Sequence, residues 1–156
     1  MELVISLETD PLLKRRIQQH LTALLPDWFA QETSNLKYAA QSEILPGYVA
    51  RVDGKPMGML LFKKHSGISA EIYWLGVDPN CHRSGIGRAL VAAACKAARF
   101  ENLKFLFVCT LHPSVAYEPY QRTRDFYEAM GFQYVLEEQF PDEESPLAFY
   151  MKHLSN

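Results

Sequence analysis

The sequence predicts a mixed α/β fold: one domain over residues 1–156, built on a central sheet. Strand and helix patterns follow one another as strand, two helices, three strands, helix, strand, helix and two strands. One strand pattern runs into a short glycine-containing loop that opens an alanine-rich helix. Finally, 156 residues with 48% hydrophobic and 22% charged side chains suit a single ordinary globular core.

Leu3, Val4, Ile5 and Leu7 indicate the first strand. Asp10-Pro11 then supplies a helix N-cap with proline at the first helical position, and Leu12, Leu13, Ile17, Leu21, Leu24 and Leu25 recur at helical spacing up to Pro26. A second helix is expected over 28–42. Asp53-Gly54 joins strands at 47–52 and 56–64, and a further strand is expected over 68–77. From Ile86 a helix presents Ala89, Leu90, Ala93, Ala97 and Phe100 on one face. A short strand over 104–109 and a loop over 111–119 with two prolines come next. The last helix starts near Tyr120 and stops at the C′ glycine Gly131, before closing strands at 132–140 and 147–153 separated by the acidic turn 141–144.

A formal net charge of −2 and a pI near 6.2 argue against nucleic acid as a partner. No apolar run is long enough to span a bilayer, and MELVISLETD lacks the basic and apolar regions of a signal peptide, so a cytoplasmic protein without a membrane partner is expected. Cys81, Cys95 and Cys109 are odd in number and form no CxxC pair, which points to neither disulfides nor a metal site. Cys95 and Cys109 read as small buried hydrophobes. Cys81, beside the glycine loop, reads as structural in the absence of a dedicated base nearby.

In EIYWLGVDPNCHRSGIGRAL, Glu71 to Leu90, Gly85 and Gly87 are expected to take positive φ and let the backbone approach a ligand, while the first helical turn offers N–H groups to an anion. A pyrophosphate suits that geometry. A dinucleotide fingerprint would need a glycine where Leu90 stands, and the Gly-Lys-Ser/Thr of a P-loop is absent. A turn that merely starts a helix stays open on this motif alone.

His82-Arg83-Ser84-Gly85-Ile86-Gly87 resembles the Gln/Arg-x-x-Gly-x-Gly/Ala loop of the GNAT superfamily of acetyl-CoA-dependent N-acetyltransferases. Val77-Asp78-Pro79 and Arg88-Ala89-Leu90 are similar to that loop's usual flanks, and the stretch from Thr123 to Phe132 resembles the family's FYxxxGF helix end. His82 departs from the usual Gln or Arg, a change expected to alter affinity modestly because such loops act through backbone N–H groups. The resemblance implies a mixed, mostly antiparallel twisted sheet flanked by helices and split around an acyl-CoA site. It also implies acetyl-CoA as co-substrate and no metal. Amides of His82, Arg83, Ser84, Gly85, Ile86, Gly87 and Arg88 would hold the pyrophosphate, and the backbone of Leu75, Gly76 and Val77 would pair with the pantetheine arm. Arg83 and Arg88 either add charge there or are ordinary solvated side chains.

Acetyl transfer to an amine needs a neutral amine, a stabilised oxyanion and a proton for the leaving thiolate. By strand alternation Glu71, Tyr73, Leu75 and Val77 share one face, with Ile72 and Trp74 on the other. Ala70-Glu71-Ile72 resembles family members that place a general-base glutamate there, the alternative being a solvated glutamate. Tyr127 corresponds to the family's general-acid tyrosine near the CoA sulfur, or is an aromatic core residue among Tyr120, Thr123 and Met130. A backbone amide near Leu75 and Cys109 is the expected oxyanion donor. Tyr73, His112 and Tyr117 are candidate substrate contacts; His20 and His65 show no partner in the sequence. The expected activity is direct attack of a primary amine, from a small molecule or a peptide or protein, on acetyl-CoA in a ternary complex, and a homodimer stays open. The alternatives are a non-catalytic acyl-CoA sensor and a transferase for a longer acyl chain accommodated near Tyr73 and Met57.

Overall fold

The computed structural model describes residues 2–155; Met1 and Asn156 lie outside them. Its elements are β1 (Leu3–Glu8), α1 (Pro11–Ala23), α2 (Glu32–Ser42), β2 (Gly47–Val52), β3 (Lys55–Lys64), β4 (Ser69–Val77), α3 (Ile86–Phe100), β5 (Phe105–Leu111), α4 (Glu118–Ala129), β6 (Gln133–Glu138) and β7 (Leu147–His153). The strands hydrogen-bond in the order β1-β2-β3-β4-β5-β7-β6. β1 with β2, β2 with β3, β5 with β7 and β6 with β7 are antiparallel, whereas β4 and β5 are parallel, joined by the α3 crossover that parallel strands require. This is the mixed, mostly antiparallel sheet that the family resemblance implies, within the α/β class that the sequence predicts. The parallel ladder is short: Ser69, Ala70 and Glu71 pair with Phe105, Leu106 and Phe107.

By internal packing the chain forms two compact units, one holding the residues up to Lys63 and Ile72–Ala97, the other Lys64–Glu71 and the residues from Ala98 onward. In the first, Asp10 caps α1 by accepting from the N–H groups of Leu12 and Leu13, with Pro11 at the first helical position. α1 lays Ile17 and Leu21 against Val49 of β2, Met59 and Leu61 of β3 and Trp74 of β4, with Phe29, Tyr38 and Leu45 at the margin. Lys14 is buried in the same unit, where its Nζ donates to the Leu45 carbonyl at 2.7 Å and burial pulls its pKa down.

Gly58, one position from Met59 and so on the opposite face of β3, receives α3. A Cβ there would lie 3.0 Å from Ile86 and 3.1 Å from Leu90, so the missing side chain is what lets the helix approach. The buried face of α3 is Ile86, Leu90, Val91, Ala94, Cys95 and Ala98. The sequence assigned Ala93, Ala97 and Phe100 to that face; Ala93 and Ala97 flank it and Phe100 is 88% exposed. In an alanine-rich helix the burying arc is set by the few large side chains, and Ile86 and Leu90 mark it.

α2 begins at Glu32, four residues later than the sequence suggests. Phe29 leaves helical geometry to stack on Trp74, 5.2 Å between centroids, and its carbonyl accepts from Asn35 Nδ2. β5 runs on to Leu111, and α4 begins at Glu118 with Pro119 in its first turn.

In the second unit Leu106, Val108, Tyr127, Phe132, Ala148, Tyr150 and Leu154 are buried. Arg124 joins them at 2% exposure, with its guanidinium donating to the Leu111 carbonyl at 2.7 Å and to Gln121 Oε1 at 3.0 Å. It ties α4 to the end of β5. Hydrogen bonds from a buried charged group contribute about 1.5–3 kcal/mol, so Arg124→Leu is expected to lower unfolding stability in urea by about 2–3 kcal/mol. An unchanged urea midpoint would show that the tie is dispensable.

Candidate functional site

The glycine loop is built from β4 outward. Asp78 donates its N–H to the Met57 carbonyl, and its carboxylate caps a short 3₁₀ turn at Pro79–Cys81 by accepting from Asn80 N at 2.9 Å. The Ser84 hydroxyl and N–H both turn back to the Cys81 carbonyl. Arg83 (φ 64°) and Gly85 (φ 88°) are left-handed, and the first helical bond, Ala89 N to Gly85 O, closes directly after them. Helix geometry therefore leaves the N–H groups of Ile86, Gly87 and Arg88 ahead of the intrahelical pattern, at the positive end of the α3 dipole. The sequence expected Gly87 as the second positive-φ residue. Gly87 instead lies inside α3, and Arg83 takes the left-handed position. His82, Arg83, Ser84, Gly85 and Arg88 are exposed, while Ile86 anchors the loop at 1% exposure.

His82 does more than replace a Gln or Arg. Its Nε2 lies 2.9 Å from the Val77 carbonyl, which can only accept, so Nε2 carries the proton. Its ring also meets Trp28 edge-on at 5.8 Å. The imidazole thus braces the loop against the end of β4 and against the segment that leads into α2.

Along β4, Ala70, Ile72, Trp74 and Gly76 are buried and alternate with half-buried Ser69, Glu71, Tyr73, Leu75 and Val77, as the period of two predicts. Gly76 has no room for a side chain because an added Cβ would run into the Trp74 ring. Tyr73 packs edge-on to Tyr38 at 5.3 Å with Lys63 Nζ 5.2 Å from its ring centroid, so it is enclosed by its neighbours.

Glu71 occupies the last pair of the parallel ladder, opposite Phe107. Its Oε1 lies 2.7 Å from His65 Nε2, and the histidine ring packs on Phe107 at 5.0 Å between centroids. His65 is the residue that sequence reasoning passed over. It sits six positions before Glu71, across the turn between β3 and β4, where a strand-to-strand return brings such positions side by side. Cys109, two residues beyond Phe107 and on the same face of β5, is half-buried rather than fully buried as expected. Burial, then the Glu71 and Glu143 carboxylates, push its thiol pKa up to about 12.

Tyr127 is 4% exposed, wedged edge-on between Phe126 at 5.1 Å and Phe132 at 5.4 Å, and burial drives its phenol pKa strongly upward. Tyr120 shares the helix; burial foremost, then Tyr117 and Glu143, raise its pKa to about 12. Thr123 and Met130 are only half-buried, so the closed face of α4 consists of Tyr127 and the unforeseen Arg124.

His112 Nδ1 accepts from the Ser114 N–H at 3.0 Å and lies 2.9 Å from its hydroxyl, and Nε2 faces the Tyr134 hydroxyl at 3.2 Å. These contacts fasten the loop after β5 to β6. Tyr117, at the N-cap of α4, is 40% exposed with its ring 5.9 Å from that of Tyr120. Among the described residues no cluster of three His, Cys, Asp or Glu side chains could hold a metal ion, and no helix is long and apolar enough to cross a membrane.

Residues 14–132 match the model of the acetyltransferase (GNAT) family. A solved protein of that family from Desulfovibrio desulfuricans superposes with a TM-score of 0.81 at 18% identity, over 99% of this chain and 100% of the other. The ribosomal-protein-S18-alanine N-acetyltransferase of Escherichia coli gives 0.76 at 18% identity over 99% and 96%. A GNAT-family acetyltransferase from Elizabethkingia anophelis, solved with acetyl-CoA bound, gives 0.71 at 16% identity over 97% and 98%. No curated protein matches the chain in sequence.

Proposed function

Because the chain belongs to the acetyltransferase (GNAT) family, we propose that it moves an acetyl group from acetyl-CoA to a primary amine by direct attack in a ternary complex. The left-handed pair Arg83 and Gly85 ahead of α3 is the observation on which this rests most heavily, since it sets consecutive backbone N–H groups where a diphosphate can accept from them. The residues fit such a group. An added Cβ at Gly85 would meet nothing within 4 Å, so the approach is open, and the exposed Arg83 and Arg88 add positive charge. Main-chain groups of Leu75, Gly76 and Val77 pair with the pantetheine arm, with the Val77 carbonyl already accepting from His82. The similar Elizabethkingia protein was solved with this thioester bound, which supports the choice of donor.

Glu71 takes the proton of the incoming ammonium, directly or through a water, and Tyr127 returns one to the departing thiolate. An alkyl ammonium has a pKa of ~10.4 and a thiol of ~8.5, so both transfers are needed near neutral pH. Burial raises the Tyr127 phenol pKa, so the group starts in the protonated form and the developing thiolate has to draw the proton from it. Tyr127→Phe is expected to lower kcat by about 10²-fold and to leave acetyl-CoA affinity within about twofold. Equal turnover in both proteins would remove Tyr127 from the chemistry.

The acceptor is a small-molecule amine or the amine of a peptide or protein. Incubating the protein with acetyl-CoA and a panel of alkyl amines, polyamines, amino acids and peptides, while following release of free CoA, tests the whole proposal. The expected result is CoA release with at least one amine and a matching acetylated product by mass spectrometry. Absence of both acetyl-CoA binding and CoA release would overturn it.

A further inference from the structure

We propose that the cavity between α1 and α2 is a binding site for a small alkyl cation bearing N–H groups, an ammonium or a guanidinium. The cavity measures about 290 Å³, room for a compact ligand. Two side-chain amides line it, Gln18 of α1 and Asn35 of α2, and in each the nitrogen is engaged while the oxygen is not. Gln18 is fully buried; its Nε2 donates to Thr22 Oγ1 at 3.0 Å, and its Oε1 has no partner. Asn35 Nδ2 donates to the Phe29 carbonyl at 2.9 Å, and the buried Oδ1 likewise has none. Neither amide can be turned round. The Thr22 hydroxyl spends its hydrogen on the Gln18 carbonyl at 2.8 Å, and the Phe29 carbonyl has no hydrogen to give, so both contacts require a nitrogen. An unmet buried acceptor is costly to a fold, and two on the lining of one cavity mark what its occupant has to supply, which is hydrogen-bond donors.

The charge of the lining agrees. Among the described residues that form it there is no Lys, Arg or His, and the formal charge it carries is the Glu32 carboxylate in the first turn of α2. A carboxylate beside bare amide oxygens repels an anion and attracts a cation. Ammonium and guanidinium groups each present several N–H donors and no acceptor, so one head group can serve more than one of these oxygens. The rest of the wall is apolar: Ala23, Pro26 and Leu36, with Phe29, whose ring is held by stacking on Trp74 and by an edge contact with Tyr38. That surface suits a hydrocarbon stem, and an aromatic ring nearby favours a positive head. No residue assigned to acetyl transfer lines the cavity, so the site stands whether or not the protein is a transferase.

Calorimetric titration of the full chain without acetyl-CoA tests the proposal, using n-butylguanidinium and n-butyltrimethylammonium, which share charge and stem but differ in N–H donors. The guanidinium is expected to bind at least about tenfold more tightly than the quaternary ion. Gln18→Met keeps the length of the side chain and removes the oxygen, and it is expected to weaken guanidinium binding by at least about tenfold. Ala23→Phe fills the cavity from the exposed end of α1, where a larger side chain is tolerated by the fold, and should abolish binding with the melting temperature unchanged. This second variant decides the matter if Gln18→Met fails to fold. No binding of the guanidinium at about 10 mM would show that water alone satisfies the two oxygens, and overturns the site. Equal affinity for the two cations, or guanidinium affinity unaltered in Ala23→Phe, overturns it as well. Because the titration needs neither acetyl-CoA nor turnover, its failure and the failure of the transferase reading are told apart.

Discussion

Glu71→Gln is expected to cost about 10²- to 10³-fold in kcat/KM for the amine at pH 7.5, with acetyl-CoA affinity unchanged. Glutamine has the same shape, and its amide oxygen can still accept from a protonated His65 Nε2, so the strand and its ladder with β5 should persist. What is lost is the ability to bind the acceptor's proton. The deficit should therefore shrink as pH rises toward the amine pKa of ~10.4, where free amine is supplied by the solvent. Steady-state rates of both proteins at pH 7.5 and 9.5 check this. A constant ratio across that interval would mean that Glu71 binds the acceptor electrostatically and takes no proton.

Gly85→Val is expected to weaken acetyl-CoA binding by at least about tenfold while leaving the protein folded. At φ 88° a β-branched residue is strained by at least about 1–2 kcal/mol. The strain is purely local because no atom lies within 4 Å of the Cβ position. Relaxing it rotates the peptide planes that precede α3, and with them the N–H groups that the diphosphate requires. Calorimetric titration with acetyl-CoA, together with the thermal shift that the ligand produces, reads the effect directly, since a ligand of the native state raises apparent stability. Unaltered affinity would move the diphosphate away from this loop.

Much of this molecule is visible in its sequence because local signals and burial agree. Asp10-Pro11 caps α1 as expected, Asp53-Gly54 turns between β2 and β3, and the alternation along β4 divides Ile72 and Trp74 from Glu71 and Tyr73. The misses share a cause: each depends on a partner far along the chain. The start of α2 is displaced by the stacking of Phe29 on Trp74, 45 residues later, which no periodicity records. Arg124 looks like a surface residue of an amphipathic helix until the Leu111 carbonyl is brought to it. Gly87 looked like the second left-handed residue since glycine is permissive there, yet the fold spends that conformation on Arg83. Of the candidate site, the turn that opens α3 and the face of β4 on which Glu71 lies were legible from motif and alternation. His65 was not, because a hydrogen bond across a turn leaves no mark in composition.

The half-buried Cys109 carries one more consequence. With a pKa of about 12, only about one in 10⁴ to 10⁵ copies of this sulfur is ionised at neutral pH, and the ionised form is the one that attacks electrophiles. A thioester brought near it would meet a thiol and not a thiolate, so this sulfur does not compete with an incoming amine. The same inertness should spare this position from haloacetamides and peroxide, leaving reagents to react first at the half-exposed Cys81.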